Sequence, residues 1–429
     1  MHDPVRVGLL GCGNVGAAIV RLLDENADRI AARAGVAIEV TRVAVRDVAR
    51  PRDVKIAAER FTADAADVVQ DPDIDVVVEV IGGVEPPGTL IARALQSGKP
   101  VVTANKELIA RLGPELFETA ARAGVDLLFE ASVAGGIPLM RPLRESLAGD
   151  RIRRVTGIVN GTTNYILTRM AELGTSLADA LAEAQRLGYA EPDPSADISG
   201  QDAAAKAAII ATIAFGARVH ADDVHTEGIE GITDDDIASA GLLGYVVKLL
   251  AVAEEVDGGV AVRVHPAMVP LHHPLAAVRD SFNAVLIEGE AVGELMLYGR
   301  GAGAGPTASA VLGDLVDAAR NLVSGGTGAT IGGLTDRPVR PIGELESQFY
   351  VLIEVADRPG VLAAIAGEFG RHGVSIQSME QRGLGADARL VFVTHRAREA
   401  DLRATVDALR GVEPVHRVGS VLRVMGDVG

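Results

Sequence analysis

The sequence predicts an α/β protein with a doubly wound parallel sheet in its N-terminal part, an α+β middle domain and a C-terminal ferredoxin-like module. Three observations predict this fold class. Apolar strands alternate with helical patterns through residues 1–138, this regularity is absent from residues 139–323, and residues 346–429 follow a β-α-β-β-α-β order. Residues 324–345 are rich in Gly, Thr and Pro, and we expect them to be a linker.

The composition is that of a globular chain of several domains. Its 429 residues exceed the usual size of one domain, and we expect three. The content of 48% hydrophobic and 23% charged residues gives no sign of disorder. A formal net charge of −17 argues against nucleic acid as a partner, because binding to a phosphate backbone depends on clustered Lys and Arg.

Two further features bear on the compartment. The longest uncharged apolar run, Ala207–Ala217, is too short to cross a bilayer, so we expect no association with a membrane. The single cysteine, Cys12, excludes an internal disulfide and indicates a reducing environment. We therefore expect a cytoplasmic protein.

The first strand, Val5–Leu10, ends in the glycine motif GCGNVG, and a helical pattern follows. A dinucleotide site of the Rossmann type requires this order, because the glycines allow the tight turn, the approach of the pyrophosphate and the close packing of helix on strand. The alternative is a plain tight turn. The predicted cofactor residues of this loop are Gly11, Gly13, Asn14, Val15 and Gly16.

The alternation of strands and helices continues along the N-terminal part. Strands are predicted at Ile38–Val45, Val76–Ile81, Val101–Thr103 and Asp126–Phe129, and helices at Thr89–Gln96 and Glu107–Ala123. Ligands of such a sheet bind beyond the carboxyl ends of the strands, so the TANK loop that begins at Thr103 is a candidate for contact with the cofactor.

The end of the second strand bears on the choice between NADP and NAD. An acidic side chain there favours NAD, whereas a cation favours the extra phosphate of NADP. Arg46 is followed directly by Asp47, so the pair leaves both cofactors open. Arg46, with Lys55, favours NADP, and the alternative is that both cations are solvated surface charges.

Two glycine-rich stretches follow residue 139. The first is GIVNGTTNYIL, which begins at Gly157. The second, GRGAGAGPTASAV, precedes a helical pattern and predicts a cluster of backbone N–H groups that includes Gly303, a further candidate cofactor residue. The alternative for the second stretch is a flexible surface loop.

The segment GYAEPDPSADISGQDAAAK concentrates carboxylates ahead of one lysine. Asp202 and Lys206 are one helical turn apart, and nearly every neighbour on this helix is apolar. A lysine held by a carboxylate in a cleft can give a proton to a carbonyl oxygen, and Glu191 and Asp197 offer a negative pocket for a substrate ammonium group. The alternative for Asp202 and Lys206 is an ordinary salt bridge on a solvated helix face. The alternative for each single carboxylate is a loop cap or a solvated turn, and for Asp193 we prefer this alternative.

The C-terminal module is predicted element by element. Its strands are expected at Tyr350–Val355, Ser375–Glu380, Arg389–Thr394 and Val415–Val424, and its helices at Val361–His372 and Glu399–Leu409.

These motifs, in this order, resemble the homoserine dehydrogenase family. The matching stretches are the glycine loop, VVTANKELIA, FEASVAGGIPLM, GIVNGTTNYIL, GYAEPDPSADISGQDAAAK and GRGAGAGPTASAV. The C-terminal FYVLIEVADRPGVLAAIAGEFGRHGVSIQSMEQ resembles an ACT domain, as in the monofunctional bacterial members. The resemblance covers essentially the whole chain. It implies the interconversion of aspartate 4-semialdehyde and homoserine with a nicotinamide cofactor, in threonine and methionine biosynthesis.

The resemblance also implies roles for individual residues. Lys206 matches the proton donor of the family and Asp202 its partner. Glu191 matches the residue that holds the substrate amino group, and Asp197 another carboxylate of the substrate pocket. Lys106 matches a lysine between cofactor and substrate, with a part in catalysis and in cofactor binding.

Some members of the family bind a monovalent cation such as Na⁺, which is structural. The matching ligands here are Glu130, Val133, Gly135 and Ile137. The sequence departs from the family at Ala134, where glycine is common, and at Arg300, where proline is frequent. These departures affect the expected cation loop and the affinity for the cofactor.

The ACT-like module carries the turn DRPG, and ACT domains often pair and bind amino acids at the shared interface. The resemblance implies threonine as an effector at Asp357, Gly360 and Val361, and a homodimer or homotetramer. The alternative for the module is that it only dimerises. The alternatives for the whole protein are a catalytically silent amino-acid sensor and a dehydrogenase of another amino-acid semialdehyde.

Overall fold

The computed structural model describes residues 3–329, 331, 333–383 and 388–426. Within these ranges no helix is both long and apolar enough to span a membrane. The chain forms two compact units. The first comprises Met1–Val155, Ala205–Asp223 and Asn283–Arg337, and the second comprises Thr156–Ala204, Val224–Phe282 and Pro338–Gly429. The domain boundaries expected from the sequence follow functional motifs and stay a prediction.

The helices and strands are numbered along the chain. The helices are α1 Asn14–Glu25, α2 Ala27–Ala34, α3 Ala66–Val69, α4 Pro87–Gln96, α5 Lys106–Ala123, α6 Gly161–Leu173, α7 Leu177–Arg186, α8 Ser195–Ile198, α9 Gln201–Phe215, α10 Asp234–Leu242, α11 Ala304–Ser324, α12 Val361–Arg371 and α13 Glu399–Leu409. The strands are β1 Val5–Leu10, β2 Ile38–Ala44, β3 Phe61–Thr62, β4 Val76–Glu79, β5 Val101–Thr103, β6 Leu127–Leu128, β7 Ile152–Ile158, β8 His225–Thr226, β9 Tyr245–Val256, β10 Gly259–Pro270, β11 Phe282–Gly289, β12 Gly293–Arg300, β13 Glu346–Val355, β14 Ile376–Arg382, β15 Arg389–Thr394, β16 Ala397–Arg398 and β17 Val415–Val424.

The first unit contains the predicted doubly wound sheet. Its order is β3-β2-β1-β4-β5-β6, and all neighbouring strands are parallel. Helices cover a parallel sheet on both faces, which explains why the run Val76–Val78 is fully buried. The order reverses beside β1, so the crevice at the carboxyl end of β1 is the expected ligand position. The fold class predicted for this part is confirmed.

Three strands of this sheet end earlier than the sequence pattern predicts, and local hydrogen bonds explain one of them. The side chain of Glu79 accepts hydrogen bonds from Ile81 N at 2.7 Å and Gly82 N at 3.1 Å. These amides therefore leave the ladder, and β4 stops at Glu79 although apolar residues continue to Ile81. The other early ends are those of β2 and β6.

Helix α11 closes the core of the first unit. Its residues Val311, Leu315 and Ala318 are fully buried and recur at helical spacing, as the sequence pattern predicts. They join one apolar cluster with Ile19 and Leu23 of α1. The loop before α11 is thereby tied to the helix that follows the glycine motif.

The second unit contains the C-terminal module. Its four main strands lie in the order β17-β13-β15-β14 and all pairs are antiparallel. Helices α12 and α13 supply Ile365, Phe369 and Leu409 to its core. The predicted β-α-β-β-α-β order is confirmed. Strand β17 also pairs in parallel with β10, with Ala267 opposite Arg423.

Candidate active site

The glycine motif forms the turn between β1 and α1. Gly11 has φ +100°, a conformation that favours glycine. A Cβ on Gly16 would lie 2.3 Å from the carbonyl oxygen of Gly11, so a side chain cannot be added there without movement of the backbone. A Cβ on Gly13 would meet nothing within 4 Å, and α1 begins directly after it at Asn14. The loop therefore leaves open space beside backbone N–H groups at a helix N-terminus, which suits a pyrophosphate.

The cations predicted for the adenosine end of the cofactor occupy different surroundings. Arg46 is exposed just beyond β2. Lys55 forms an exposed ion pair of 2.7 Å with Asp24, near the end of α1 remote from the glycine turn. Arg52, which the sequence analysis did not select, donates to the carbonyl oxygen of Cys12 inside the glycine motif at 3.3 Å.

Buried hydrogen bonds join the carboxyl ends of β4 and β5. Thr103 Oγ1 donates to Glu79 Oε2 at 2.6 Å, and both side chains are buried. Asn105 donates to the carbonyl oxygen of Gly83 at 2.7 Å. Lys106 follows as the first residue of α5 and is half-buried. The loop that carries Lys106 is thus fixed by Glu79 and Asn105.

Glu130 is buried and its carboxylate caps a helical turn. Oε1 accepts hydrogen bonds from the backbone N–H groups of Leu139 and Met140, and Oε2 accepts one from Arg141 at 2.8 Å. Asp314 of α11 accepts from Glu130 N and from Arg141 Nη2, both at 2.8 Å. Burial, and then the Glu130 carboxylate, raises the pKa of Asp314 to about 7.

The expected cation loop lies against the glycine-rich loop before α11. A Cβ on Gly135 would lie 2.3 Å from the carbonyl oxygen of Gly301, so the two backbones are in contact. Ala134 has φ +56°, which explains why glycine suits this position better. Gly303, with φ +119°, is the N-cap of α11. The backbone carbonyls of Val133, Gly135 and Ile137 and the Glu130 carboxylate stay the predicted ligands.

The described residues contain no group of three or more His, Cys, Asp or Glu side chains arranged to hold a metal ion. The predicted cation set is of another kind, with one carboxylate and three backbone oxygens. Such hard oxygen ligands are chemically suited to Na⁺.

The carboxylate segment in the second unit is organised by a residue that the sequence analysis did not select. Asn160 Nδ2 donates to Asp197 Oδ1 at 2.6 Å and to Asp202 Oδ2 at 2.8 Å. Asp202 and Asn160 are buried, Asp197 is half-buried and Glu191 is exposed. The structure therefore joins two of the three predicted carboxylates through one amide.

Lys206 is half-buried on α9, one turn after Asp202. Ala203, Ala204 and Ala207 of the same helix are buried, as its apolar sequence indicates. Asp193, in contrast, is exposed and accepts a hydrogen bond from Ser195 N at 3.1 Å, which is the loop cap preferred from the sequence.

The turn predicted to bind an effector begins α12. Gly360 has φ +89° and is the N-cap of the helix, and a Cβ there would meet nothing within 4 Å. Asp357 accepts a hydrogen bond from Gln381 of β14 at 3.2 Å. Val361 is buried in the module core, so its side chain supports the turn from inside.

A local sequence signal existed for two of the residues that were not selected. Asn105 and Asn160 each stand directly before a helix and accept a hydrogen bond there from the third helical residue, Leu108 N and Thr163 N respectively. Such a signal predicts a cap but gives no hint of the second contacts that Asn160 makes.

Models of known families match three parts of the chain. The family model described as "Homoserine dehydrogenase" matches residues 138–316, "Homoserine dehydrogenase, NAD binding domain" matches residues 11–130, and "ACT domain" matches residues 349–414. Homoserine dehydrogenase of Mycobacterium tuberculosis strain H37Rv is 52% identical over 436 residues, which cover 99% of this chain and 98% of the relative.

Two solved structures extend the comparison. The crystal structure of a homoserine dehydrogenase from Thiobacillus denitrificans matches with a TM-score of 0.93 and 41% identity, over 99% of this chain and 98% of that one. A hyperthermophilic archaeal homoserine dehydrogenase mutant in complex with NADPH matches with a TM-score of 0.64 and 30% identity, over 73% of this chain and 97% of that one. With relatives this similar over its full length, an NAD-binding domain and a C-terminal ACT domain, the chain belongs to the homoserine dehydrogenase family.

Proposed function

We propose that the protein interconverts L-aspartate 4-semialdehyde and L-homoserine by hydride transfer with Lys206 as the acid/base group, in threonine and methionine biosynthesis. The observation that carries this proposal is the pair of carboxylates, Asp197 and Asp202, joined by one amide on the segment that leads to Lys206. A bound nicotinamide dinucleotide supplies or accepts the hydride.

The remaining chemistry belongs to side chains of this protein. Lys206 donates a proton to the aldehyde oxygen during reduction and takes it back during oxidation. Asp202 orients the Lys206 ammonium group. Glu191 pairs with the substrate amino group, Asp197 adds negative charge to the pocket, and Lys106 lies toward the cofactor.

The first experiment is homoserine-dependent reduction of NADP and of NAD by the wild type and by Lys206→Ala. We expect turnover by the wild type and a loss of about 10²- to 10⁴-fold in kcat/KM for the variant, which is the range that general acid–base catalysis contributes. Arg410→Ala, which removes an exposed cation of the C-terminal module, is the control and should keep homoserine turnover. An inactive wild type with both cofactors would favour the sensor or the sister dehydrogenase.

Oxidation of homoserine should accelerate as the pH rises, because Lys206 must be neutral to act as a base. The rate at saturating homoserine and cofactor, measured from pH 6 to pH 10, tests this. A flat profile would remove Lys206 from the proton transfer.

We infer that NADP is preferred to NAD. The support is the exposed Arg46 at the end of β2, together with the NADPH in the archaeal relative. Arg46→Ala should raise the KM for NADP about tenfold and change that for NAD little, since one charge-assisted contact is worth about 1.5 to 3 kcal/mol. An equal change for both cofactors would contradict the assignment.

We infer that threonine regulates the enzyme through the turn of Asp357 and Gly360. The support is the ACT match and the open space above Gly360. Threonine should inhibit the wild type and raise its melting temperature, and Asp357→Ala should lose both effects. No effect of threonine on either quantity would leave a module that only dimerises.

Three further expectations complete the proposal. The protein acts in the cytoplasm, assembles as a homodimer or homotetramer, and binds Na⁺ at Glu130. Native mass spectrometry measures the assembly. A melting temperature that rises with Na⁺ at constant ionic strength, and no longer does so in Glu130→Gln, would support the cation site.

A further inference from the structure

Asn160 stands at the junction of three elements in the second unit. It is the N-cap of α6, it is 4% exposed, and its side chain touches a residue of α8 and a residue of α9. Its partners Asp197 and Asp202 are 37 and 42 residues away along the chain. The residue therefore connects segments that the backbone brings together only in the folded protein.

All hydrogen-bonding groups of the Asn160 amide have partners. Nδ2 has two hydrogens, and it donates one to Asp197 and the other to Asp202. Oδ1 accepts from Thr163 N at 2.8 Å and from Thr163 Oγ1 at 2.9 Å. Rotation of the amide by 180° would place Oδ1 against two carboxylates and Nδ2 against a backbone N–H. The orientation of the amide is thus fixed by its neighbours.

The backbone between Asp197 and Asp202 turns at a glycine. Gly200 lies between α8 and α9 with φ +84°, and a Cβ on it would lie 3.0 Å from Thr226 Cγ2. The backbone can therefore turn sharply between Asp197 and Asp202. Two carboxylates brought together in this way repel each other unless a donor lies between them.

We propose that Asn160 is a positioning residue of the active site, which holds Asp197 and Asp202 in the arrangement that binds homoserine and orients Lys206. The inference rests on the proposed function. Hydrogen bonds to charged groups are stronger than those between neutral groups, and here one amide makes two of them. Loss of the amide should disturb both the substrate pocket and the orientation of the lysine.

The test compares two variants. Asn160→Ser keeps a side-chain oxygen suited to the N-cap but removes both amide N–H donors. Asn160→Asp keeps size and cap and places an oxygen where Nδ2 lies. We expect Asn160→Ser to raise the KM for homoserine and to lower kcat, with a loss of at least about tenfold in kcat/KM. Asn160→Asp should lose more, and the KM for the dinucleotide should stay within about twofold of wild type in both.

Asn164 supplies a matched control on the same helix. It is buried, and its Nδ2 donates to backbone carbonyls, with Asp280 O the nearest at 2.9 Å, and to no carboxylate. Asn164→Asp should lower the melting temperature without changing the KM for homoserine. Every rate is divided by the folded fraction measured by circular dichroism. The control then shows what a loss of stability alone does to the kinetics, as distinct from displacement of Asp197 and Asp202.

The outcomes separate the inference from the proposed function. An inactive wild type removes the proposed function, and this inference with it. An active wild type whose Asn160→Ser and Asn160→Asp variants keep the KM and kcat for homoserine overturns this inference alone. The same holds if activity falls only in proportion to the folded fraction, because a purely structural cap would behave in that way.

Discussion

Gly13 and Gly16 stand three residues apart in one loop, yet the structure gives them different reasons to be glycine. At Gly16 the limit is packing, because a Cβ would collide with the backbone oxygen of Gly11. At Gly13 the space around a Cβ is open, so packing within the protein sets no limit there, and we propose that a bound dinucleotide does. The two positions can therefore be separated by experiment.

We expect Gly16→Ala to destabilise the protein by about 1 to 3 kcal/mol, the range for overpacking. Gly13→Ala should leave the free energy of unfolding nearly unchanged and weaken dinucleotide binding at least about tenfold, since the added methyl would occupy the approach of the pyrophosphate. Chemical denaturation and fluorescence titration with NADPH measure the two effects. Equal stability of the two variants would contradict the packing argument.

At the scale of elements, a buried lysine fastens α6 to β9. Lys248 of β9 is 3% exposed, and its ammonium group donates to Asn164 Oδ1 at 2.9 Å and to the carbonyl oxygen of Val278. Asn164 donates in turn to the backbone of the turn that contains Asp280. The helix capped by Asn160 is thus also held, one turn further on, by polar contacts within the second unit.

Burial lowers the pKa of Lys248 to about 8, whereas an unfolded lysine has a value near 10.5. The unfolded state binds more protons between these values, so the contribution of Lys248 to stability rises with pH there and is lost as the pH falls through 8. The free energy of unfolding of wild type relative to Lys248→Met should therefore increase by about 2 kcal/mol between pH 7.5 and pH 10.

Urea denaturation at the two pH values measures this difference. Lys55→Met is the control, because the pKa of Lys55 is raised by its hydrogen bond to Asp24. For Lys55→Met, the free energy of unfolding of wild type relative to the variant should stay constant or decrease as the pH rises. If the free energy of unfolding of wild type relative to Lys248→Met does not increase between the two pH values, the buried ammonium group keeps its charge.

At the scale of the whole molecule, the last described strand joins the C-terminal module to β10 within the second unit. Arg423 of β17 is 7% exposed. It donates to Glu399 of the module at 2.6 Å and to Glu227, which follows β8, at 2.7 Å. Ile229, two residues after Glu227, donates its backbone N–H to Ile198 O of α8 at 2.8 Å. The module thus contacts the strand pair next to the Asp197 segment.

Arg423→Met should lower the free energy of unfolding by about 3 kcal/mol or more, since it leaves the carboxylates of Glu227 and Glu399 without their shared cation. The control is Arg358→Met, which breaks an exposed pair with Glu413 and should cost less than about 1 kcal/mol. Guanidinium denaturation of both variants measures the difference. Similar losses for the two would show that the Arg423 contacts add nothing beyond a surface pair.

Acid should remove part of the Arg423 effect. Burial acts to raise the pKa of Glu227, but hydrogen bonds from His225 and Arg423 outweigh it and lower the pKa below its usual range. A lowered carboxyl pKa contributes stability above the unfolded value of 4.5 that is lost as the pH falls. The difference in the free energy of unfolding between wild type and Arg423→Met should therefore become smaller below about pH 4.

The local pattern determined the parallel sheet, the glycine turn and the β-α-β-β-α-β module, because each rests on periodicity or on a conformation that only glycine adopts easily. The motifs also selected Asp197, Asp202 and Lys206, whose roles stay a prediction. Strand ends were less predictable. The carboxylate of Glu79 ends β4 by taking two backbone amides, and no apolar pattern records such a contact.

Only the tertiary structure decided how distant segments meet. The strands Tyr245–Val256 and Gly259–Pro270 are largely buried, so they lack the alternation that identifies a strand from sequence. Locally Asn160 is predicted only as a helix cap, and its two carboxylate partners follow from the positions of α8 and of the first turn of α9 beside the start of α6. The pairing of Arg423 with Glu227 spans 196 residues. Local propensity fixes elements, whereas complementarity between side chains that are remote in sequence fixes the site.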